Sequence, residues 1–231
     1  MERITIITTY YNNKSNMFDF LVDFMSLPDR FSLIVIDDGS QISPINDVLK
    51  MFDDLERCKV YRVPVDLGFN SHGCRNLGMT LSETKWNLMV DSDYVLTSLI
   101  VPELDNLDQQ KYYQFTINTV LITKDMFFSC NGYDEEFVNK HMGDREFLRY
   151  LSDNFTKVDV ACQFEVRRMG RNVIHTRDVD LTTYDEENRV LYQPIDKKID
   201  QLVKLVNFRY STKDFSTKKI INFPWELVAS Y

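Results

Sequence analysis

Asp91 and Asp93 stand two positions apart, with Ser92 between them, directly after the apolar stretch 86–90, WNLMV. Carboxylates at the end of a buried run need positive charge nearby, because an isolated ionised group is costly to take out of water. One chemistry suits the spacing. A hard divalent ion, Mg²⁺ or Mn²⁺, takes oxygen ligands, so two carboxylates can hold it on one side and phosphate oxygens on the other. A third acidic group, Asp144, opens the stretch GDREFLRYLSDNF at 143–155. It is of a type that starts a helix.

Other plans for handling phosphate fail on specific residues. An aspartyl-nucleophile phosphatase carries its Asp-x-Asp after the first strand, where this chain has Thr8, Thr9, Tyr10 and Tyr11. A P-loop needs lysine and a hydroxyl after its second glycine, and GFNSHGCR at 68–75 has the glycine spacing without them. No GxGxxG dinucleotide fingerprint occurs.

The elements that must position these groups follow from periodicity. RITIITT (3–9), FSLIVI (31–36), KVYRV (59–63) and WNLMV (86–90) are β-branched or apolar runs of strand length. Between them lie helical patterns. Phe18, Leu21, Val22 and Met25 form one face, with Ser15 or Asn16 as its cap. Ile45, Val48, Leu49 and Phe52 form a second after the start signal Ser43-Pro44. Cys74, Leu77, Gly78 and Leu81 form a third. Strand and helix in alternation predict an α/β fold, a mainly parallel sheet with helices on both faces. Ligands of such sheets bind outside the carboxyl ends of the strands. TTYYNN, DDGS and DSD leave those ends and are expected side by side on one rim. Beyond residue 105 the pattern predicts one or two strands and a short helix over 112–128, a helix over 143–155, a strand over 157–166 and an amphipathic helix over 195–208. The tail KKIINFPWELVASY is expected to pack back on the body.

A chain of 231 residues, 44% hydrophobic and 27% charged, can bury a substantial core. The formal net charge of −8 argues against a partner held by bulk attraction to phosphates. Cys58, Cys74, Cys130 and Cys162 are far apart, which predicts buried free thiols rather than a zinc or dithiol site. No apolar run reaches the length of a signal peptide or membrane span, so a soluble cytoplasmic protein is expected.

Around Asp91-Ser92-Asp93 stand, in order, LIVIDDGS (33–40), DLGFNSHGCRNLGM (66–79) and CNGYDEEFVNKHMGDREFLRYL (130–151). With these stretches the chain resembles the family 2-like nucleotide-sugar glycosyltransferases of GT-A fold, over about residues 3–151. The first strand runs into Tyr11-Asn12, the second ends in Asp37-Asp38-Gly39-Ser40, and a glycine-rich segment leads into Arg75-Asn76-x-Gly78. Gly132-Tyr133-Asp134-Glu135 precedes the acidic helix start at Asp144. The resemblance implies a Rossmann-like donor half at 1–105, an acceptor-binding half of the same domain at 106–192, and a C-terminal helical extension at 193–231.

It also implies roles. Thr9 and Tyr11 line the base pocket, and Asp38 accepts a hydrogen bond from base or ribose. Gly68 and Gly73 let the backbone approach the nucleotide, and Arg75, Asp91 and Ser92 face the donor. Asp91, Asp93 and His175 hold Mn²⁺ or Mg²⁺, Asp144 is the general base, and Gly132 and Glu146 lie on the acceptor side. The usual motif at the base is Glu-Asp, where this chain has Gly143-Asp144. His72 and His141 lie near motif residues and receive no role.

The implied reaction is an inverting single displacement from a nucleotide-diphospho-sugar, UDP by family habit, to an acceptor hydroxyl. The acceptor is a glycan or lipid-linked sugar, a protein, a small molecule or a modified base in nucleic acid. The basic stretches VRRMGR (166–171), Lys197-Lys198 and Lys218-Lys219 would suit an anionic acceptor. The alternatives are a phage-type DNA glycosyltransferase acting on a hydroxymethylated base and a nucleotide-sugar-binding protein without catalysis. Nucleotidyl transfer would need a glycine-rich basic loop after the first strand, and TTYYNNKSN lacks the glycines.

Overall fold

The computed structural model of the chain describes residues 1–68, 70–99, 102–116, 118–138, 143–161, 221 and 223–231. The centre of the fold is four parallel strands. β1 (Ile4–Tyr10) lies between β2 (Phe31–Asp37) and β4 (Trp86–Met89), and β3 (Cys58–Arg62) lies outside β2. Both faces of these strands are covered, so they are buried almost throughout rather than at alternate positions.

Four further strands extend the sheet. β6 (Val120–Thr123) runs antiparallel to β4 and to β5 (Lys111–Gln114), and β7 (Thr156–Asp159) runs parallel to β5. β8 (Glu226–Ser230) closes the other edge, antiparallel to β3 with an irregularity between Val60 and Tyr61. The order is β7-β5-β6-β4-β1-β2-β3-β8. The tail therefore does pack back on the body, and residues 226–230 of the expected helical extension are a strand. The predicted helix over 195–208, and residues 162–166 of the predicted strand, lie outside the described residues.

Helices cover both faces. α1 (Lys14–Met25) and α2 (Ile45–Leu49) bury Met17, Phe20, Phe24, Ile45 and Val48 against Ile4, Ile6, Leu33 and Val35. α3 (Ser71–Leu81), α4 (Lys124–Ser129) and α5 (Gly143–Asn154) bury Cys74, Leu77, Phe127, Phe147 and Leu151 in a second cluster with Ile7, Ile34 and Ile36. Cys58, Cys74 and Cys130 are buried free thiols, as expected; Cys162 lies outside the described residues.

α1 is rotated from the predicted face. Met17, Phe20, Leu21 and Phe24 are buried, whereas Val22 and Met25 are 47% and 51% exposed. Both sets obey helical spacing. The one that is buried contains two full aromatic rings, which remove more apolar surface from water than Val and Met do. The cap also differs: Asn13, not Ser15 or Asn16, accepts a bond from Asn16 N at 3.2 Å.

α2 stops at Leu49, short of the predicted 52, and its N-cap Pro44 makes no side-chain bond. Asp37, fully buried at the end of β2, reaches across instead. Its carboxylate accepts from Ser40 N at 2.9 Å and Ile45 N at 3.1 Å, with Arg62 Nε 3.8 Å away. Burial pushes the Asp37 carboxyl up, while these donors and Arg62 act against the rise. Asp37→Ala is expected to destabilise the fold by about 2–3 kcal/mol, since two buried amides lose a charged acceptor. Urea unfolding measures this, and a loss under about 0.5 kcal/mol would mean water replaces the carboxylate.

Candidate active site

Because β4, β1 and β2 are adjacent and parallel, the turns after them meet on one edge of the sheet. α3 begins at the same edge. Its first turns present His72 and Arg75, three positions apart and therefore on one helix face.

Arg75 joins the two acidic stretches. Its side chain is 3% exposed. One guanidinium nitrogen donates to Asp91 Oδ1 at 2.5 Å, and the other donates to Asp144 Oδ1 at 2.5 Å. So the positive charge that Asp91 meets belongs to the chain itself. Asn118 Nδ2 donates to the other oxygen, Asp91 Oδ2, at 3.1 Å. His72 Nε2 lies 3.4 Å from Asp144 Oδ2. The Tyr133 ring stands 5.6 Å from the Arg75 guanidinium, in cation–π range.

Burial and charge oppose each other at Asp144 and Arg75. Burial works against the charge on Asp144, yet Arg75 and His72 outweigh it and hold the carboxyl well below the usual range. Burial likewise opposes the charge on Arg75, and Asp91 and Asp144 overcome it, so the guanidinium stays protonated. Burial raises the Tyr133 phenol, which stays neutral. At neutral pH Asp144 is thus a carboxylate beside a charged guanidinium.

Most of the residues expected on the donor side lie at or just after the ends of β1, β2 and β4. Asp38 is 2% exposed; its Oδ2 accepts from Asn70 N at 3.0 Å, which ties the end of β2 to the residue before α3. Tyr11 OH donates to Asp66 Oδ2 at 3.0 Å, and Gly68 N donates to Asp66 Oδ1 at 2.9 Å. Gly68 has φ +79°, a left-handed conformation that glycine adopts without strain. Thr9 is half-buried near the end of β1, and Ser92 and Asp93 are half-buried in the turn after β4.

On the far side, Asn76 links two motifs. It donates to Tyr133 O at 3.0 Å and Glu135 Oε1 at 2.9 Å, and accepts from Tyr133 N at 2.8 Å. Gly132, at φ +65°, is pressed against this contact: a Cβ there would lie 2.6 Å from Asn76 Oδ1. Glu146 is 2% exposed in the first turn of α5.

His72, Asn76, Asp66 and Asn118 are the neighbours that sequence reasoning left without a role. The signal for His72 was its spacing from Arg75. Its position also accounts for Gly143: a Cβ there would lie 2.7 Å from His72 Nε2. His141 and His175 lie outside the described residues.

The residues fit a hard cation in part. Asp91 and Asp93 supply carboxylate oxygens, which suit Mg²⁺ or Mn²⁺ when phosphate oxygens complete the shell. Among the described residues no group of three or more His, Cys, Asp or Glu could hold an ion alone.

The mixed, largely parallel twisted sheet with helices on both faces is a Rossmann-like GT-A fold. No protein-family model and no curated protein matches the chain. Solved structures do match in fold. Staphylococcus aureus TarS residues 1–349 superposes with TM-score 0.59 at 15% identity, covering 71% of this chain and 60% of that one. The same fragment in complex with UDP-GlcNAc gives TM-score 0.57 at 15% identity, covering 73% and 59%. The mannosyltransferase PcManGT of Pyrobaculum calidifontis, in complex with GDP-Man and Mn²⁺, gives 0.51 at 12%, covering 70% and 56%. A Drosophila galactosyltransferase 7 mutant, in complex with manganese, UDP-Gal and xylobiose, gives 0.54 at 10%, covering 81% and 79%. The matched region is thus less than two thirds of the TarS fragment and of PcManGT. Among the described residues no helix is long and apolar enough to cross a membrane.

Proposed function

We propose that the chain is a glycosyltransferase that moves a sugar from a nucleotide-diphospho-sugar, UDP-linked in the first instance, to an acceptor hydroxyl with inversion. The observation that carries this reading is the Arg75 bridge between Asp91 and Asp144, at the strand ends of a GT-A fold. It puts a candidate base and a candidate diphosphate anchor on either side of one guanidinium. The solved structures of the same fold that hold UDP-GlcNAc, GDP-Man or UDP-Gal support the donor class. Residues 1–105 then form the donor half and residues 106–192 the acceptor half, followed by the C-terminal extension.

In this reading Tyr11, Thr9 and Asp38 take the base and ribose, and Gly68 lets the backbone approach the nucleotide. Asp144 accepts the proton of the acceptor hydroxyl while that oxygen bonds to the anomeric carbon and the carbon–oxygen bond to the diphosphate breaks. The deep ionisation of Asp144 guarantees an empty proton site at neutral pH, at the cost of low basicity. Approach of the diphosphate draws the Arg75 charge toward phosphate oxygens, which raises the basicity of Asp144 as the reaction begins. Asp91 and Asp93 would hold Mn²⁺ or Mg²⁺, with His175 as a third ligand. Such an ion would supply charge stabilisation for the departing diphosphate. Gly132 and Glu146 belong to the acceptor side, where the hydroxyl is that of a glycan or of a modified nucleic-acid base.

Thermal unfolding with UDP-GlcNAc or GDP-Man tests the donor and the ion together. At about 100 Kd of ligand the folded state gains about 2.7 kcal/mol, enough to raise Tm by a few degrees. EDTA is expected to remove most of that shift. An equal shift with and without the chelator would remove the ion from the Asp91-Asp93 pair. Release of free sugar from the donor separates an active enzyme from a chain that only binds.

A further inference from the structure

We propose that His72 is a positioning residue for Asp144, and that Gly143 is glycine because the His72 ring occupies the space its side chain would need. The inference rests on the reading of Asp144 as the base. Three observations carry it.

The first is contact at both carboxylate oxygens. Arg75 donates to Asp144 Oδ1, and His72 Nε2 lies 3.4 Å from Asp144 Oδ2. The two side chains come from one face of α3, so one helix places a nitrogen beside each oxygen. A carboxylate held at one oxygen can turn about its last torsion; one held at both keeps a fixed lone-pair direction for an incoming proton.

The second is the setting of the ring. His72 is 1% exposed, with Tyr133 and Phe137 at centroid distances of 5.3 and 6.4 Å. Aromatic walls fix the imidazole plane, and with it the direction in which Nε2 points.

The third is Gly143. It begins α5, and glycine is a poor helix residue. It is not among the positive-φ glycines, so its backbone conformation is open to any residue. What excludes other residues is His72: a Cβ at 143 would meet Nε2 at 2.7 Å, Cε1 at 2.8 Å and Cδ2 at 3.0 Å. The sequence gives up a better helix former so that the imidazole can stand beside the base.

The test compares His72→Leu, His72→Gln, Gly143→Ala and the double variant His72→Ala/Gly143→Ala, by steady-state transfer from the donor the wild-type chain uses and by Tm. His72→Leu keeps apolar bulk and loses the polar nitrogen; kcat is expected to fall about 10–100-fold with the donor KM unchanged. His72→Gln places an amide near the position of Nε2 and is expected to recover most of the loss. A ring that only fills space predicts the reverse order, with Leu tolerated and Gln worse, and that order would overturn the proposal. Gly143→Ala is expected to lower both Tm and kcat, and adding His72→Ala to restore Tm but not kcat. Gly143→Ala with unchanged Tm overturns the steric half. Absence of turnover by the wild-type chain, with any donor, overturns the glycosyl-transfer reading beneath it. The Tm comparison needs no substrate, so it still decides whether Gly143 exists to seat His72.

Discussion

Asp144→Asn is expected to lower transfer to the acceptor by about 10²–10⁴-fold, the usual worth of a general base. The amide has the shape of the carboxylate and can still accept from Arg75 through its oxygen, so the fold around α5 should persist. It cannot take a proton. Donor affinity, read by thermal shift or by competition with UDP, should stay within a few-fold of wild type. Slow release of free sugar should survive, since water can attack without this base. Glu146→Gln should cost less, because Glu146 is buried two positions further along α5 and the Arg75 bridge does not include it. Should the Asn variant transfer at full rate while Glu146→Gln does not, the base is Glu146. Loss of donor binding in Asp144→Asn would instead put α5 on the nucleotide side.

Arg75→Met is expected to be the most damaging substitution to stability. The methionine fills most of the volume and leaves Asp91 and Asp144 facing each other without a cation. Breaking a buried ion pair costs about 3–5 kcal/mol. The two carboxylates retain 31% and 22% side-chain exposure, which places the loss near the lower end of that range.

The loss should depend on pH with a predictable sign. In the wild-type chain the folded carboxyl of Asp144 lies below its unfolded value of about 3.9, so its contribution is complete above about pH 4 and is lost as the pH falls further. Without Arg75, burial dominates and the folded value rises above the unfolded one. The resulting penalty is then full at neutral pH and disappears on acidification through about pH 4. Urea unfolding at pH 7 and pH 4 should show the gap between variant and wild type narrowing. A constant gap would mean that only packing was lost.

The parallel centre of the sheet was legible because each buried strand leaves a short β-branched or apolar run and each covering helix a 3.6-residue stripe. The rim was legible for the same reason: strand ends that are adjacent and parallel deliver their polar turns to one edge. What escaped the sequence is what depends on partners far along the chain. The face of α1 was ambiguous because two stripes share its spacing, and the choice fell to the bulk of Phe20 and Phe24 against the sheet. Asp91 and Asp93 gave no hint that Asp91 answers to Arg75, since a guanidinium and a cation satisfy the same carboxylate. His72 carried only its three-residue spacing from Arg75, and what that spacing serves became visible beside Asp144 and Gly143. ELVAS, the β8 segment, neither alternates nor forms a long apolar run, and it is a strand because β3 offers it a ladder.

That last pairing bears on how the molecule comes into being. During synthesis the first four strands leave the ribosome long before residues 226–230 exist, and the outer edge of β3 waits with unpaired amides and carbonyls. An open edge invites strands of other chains, and contacts between distant segments close slowly. The interval between translation of β3 and arrival of β8 is thus the aggregation-sensitive stage of biogenesis, and slower passage through residues 63–225 would lengthen it.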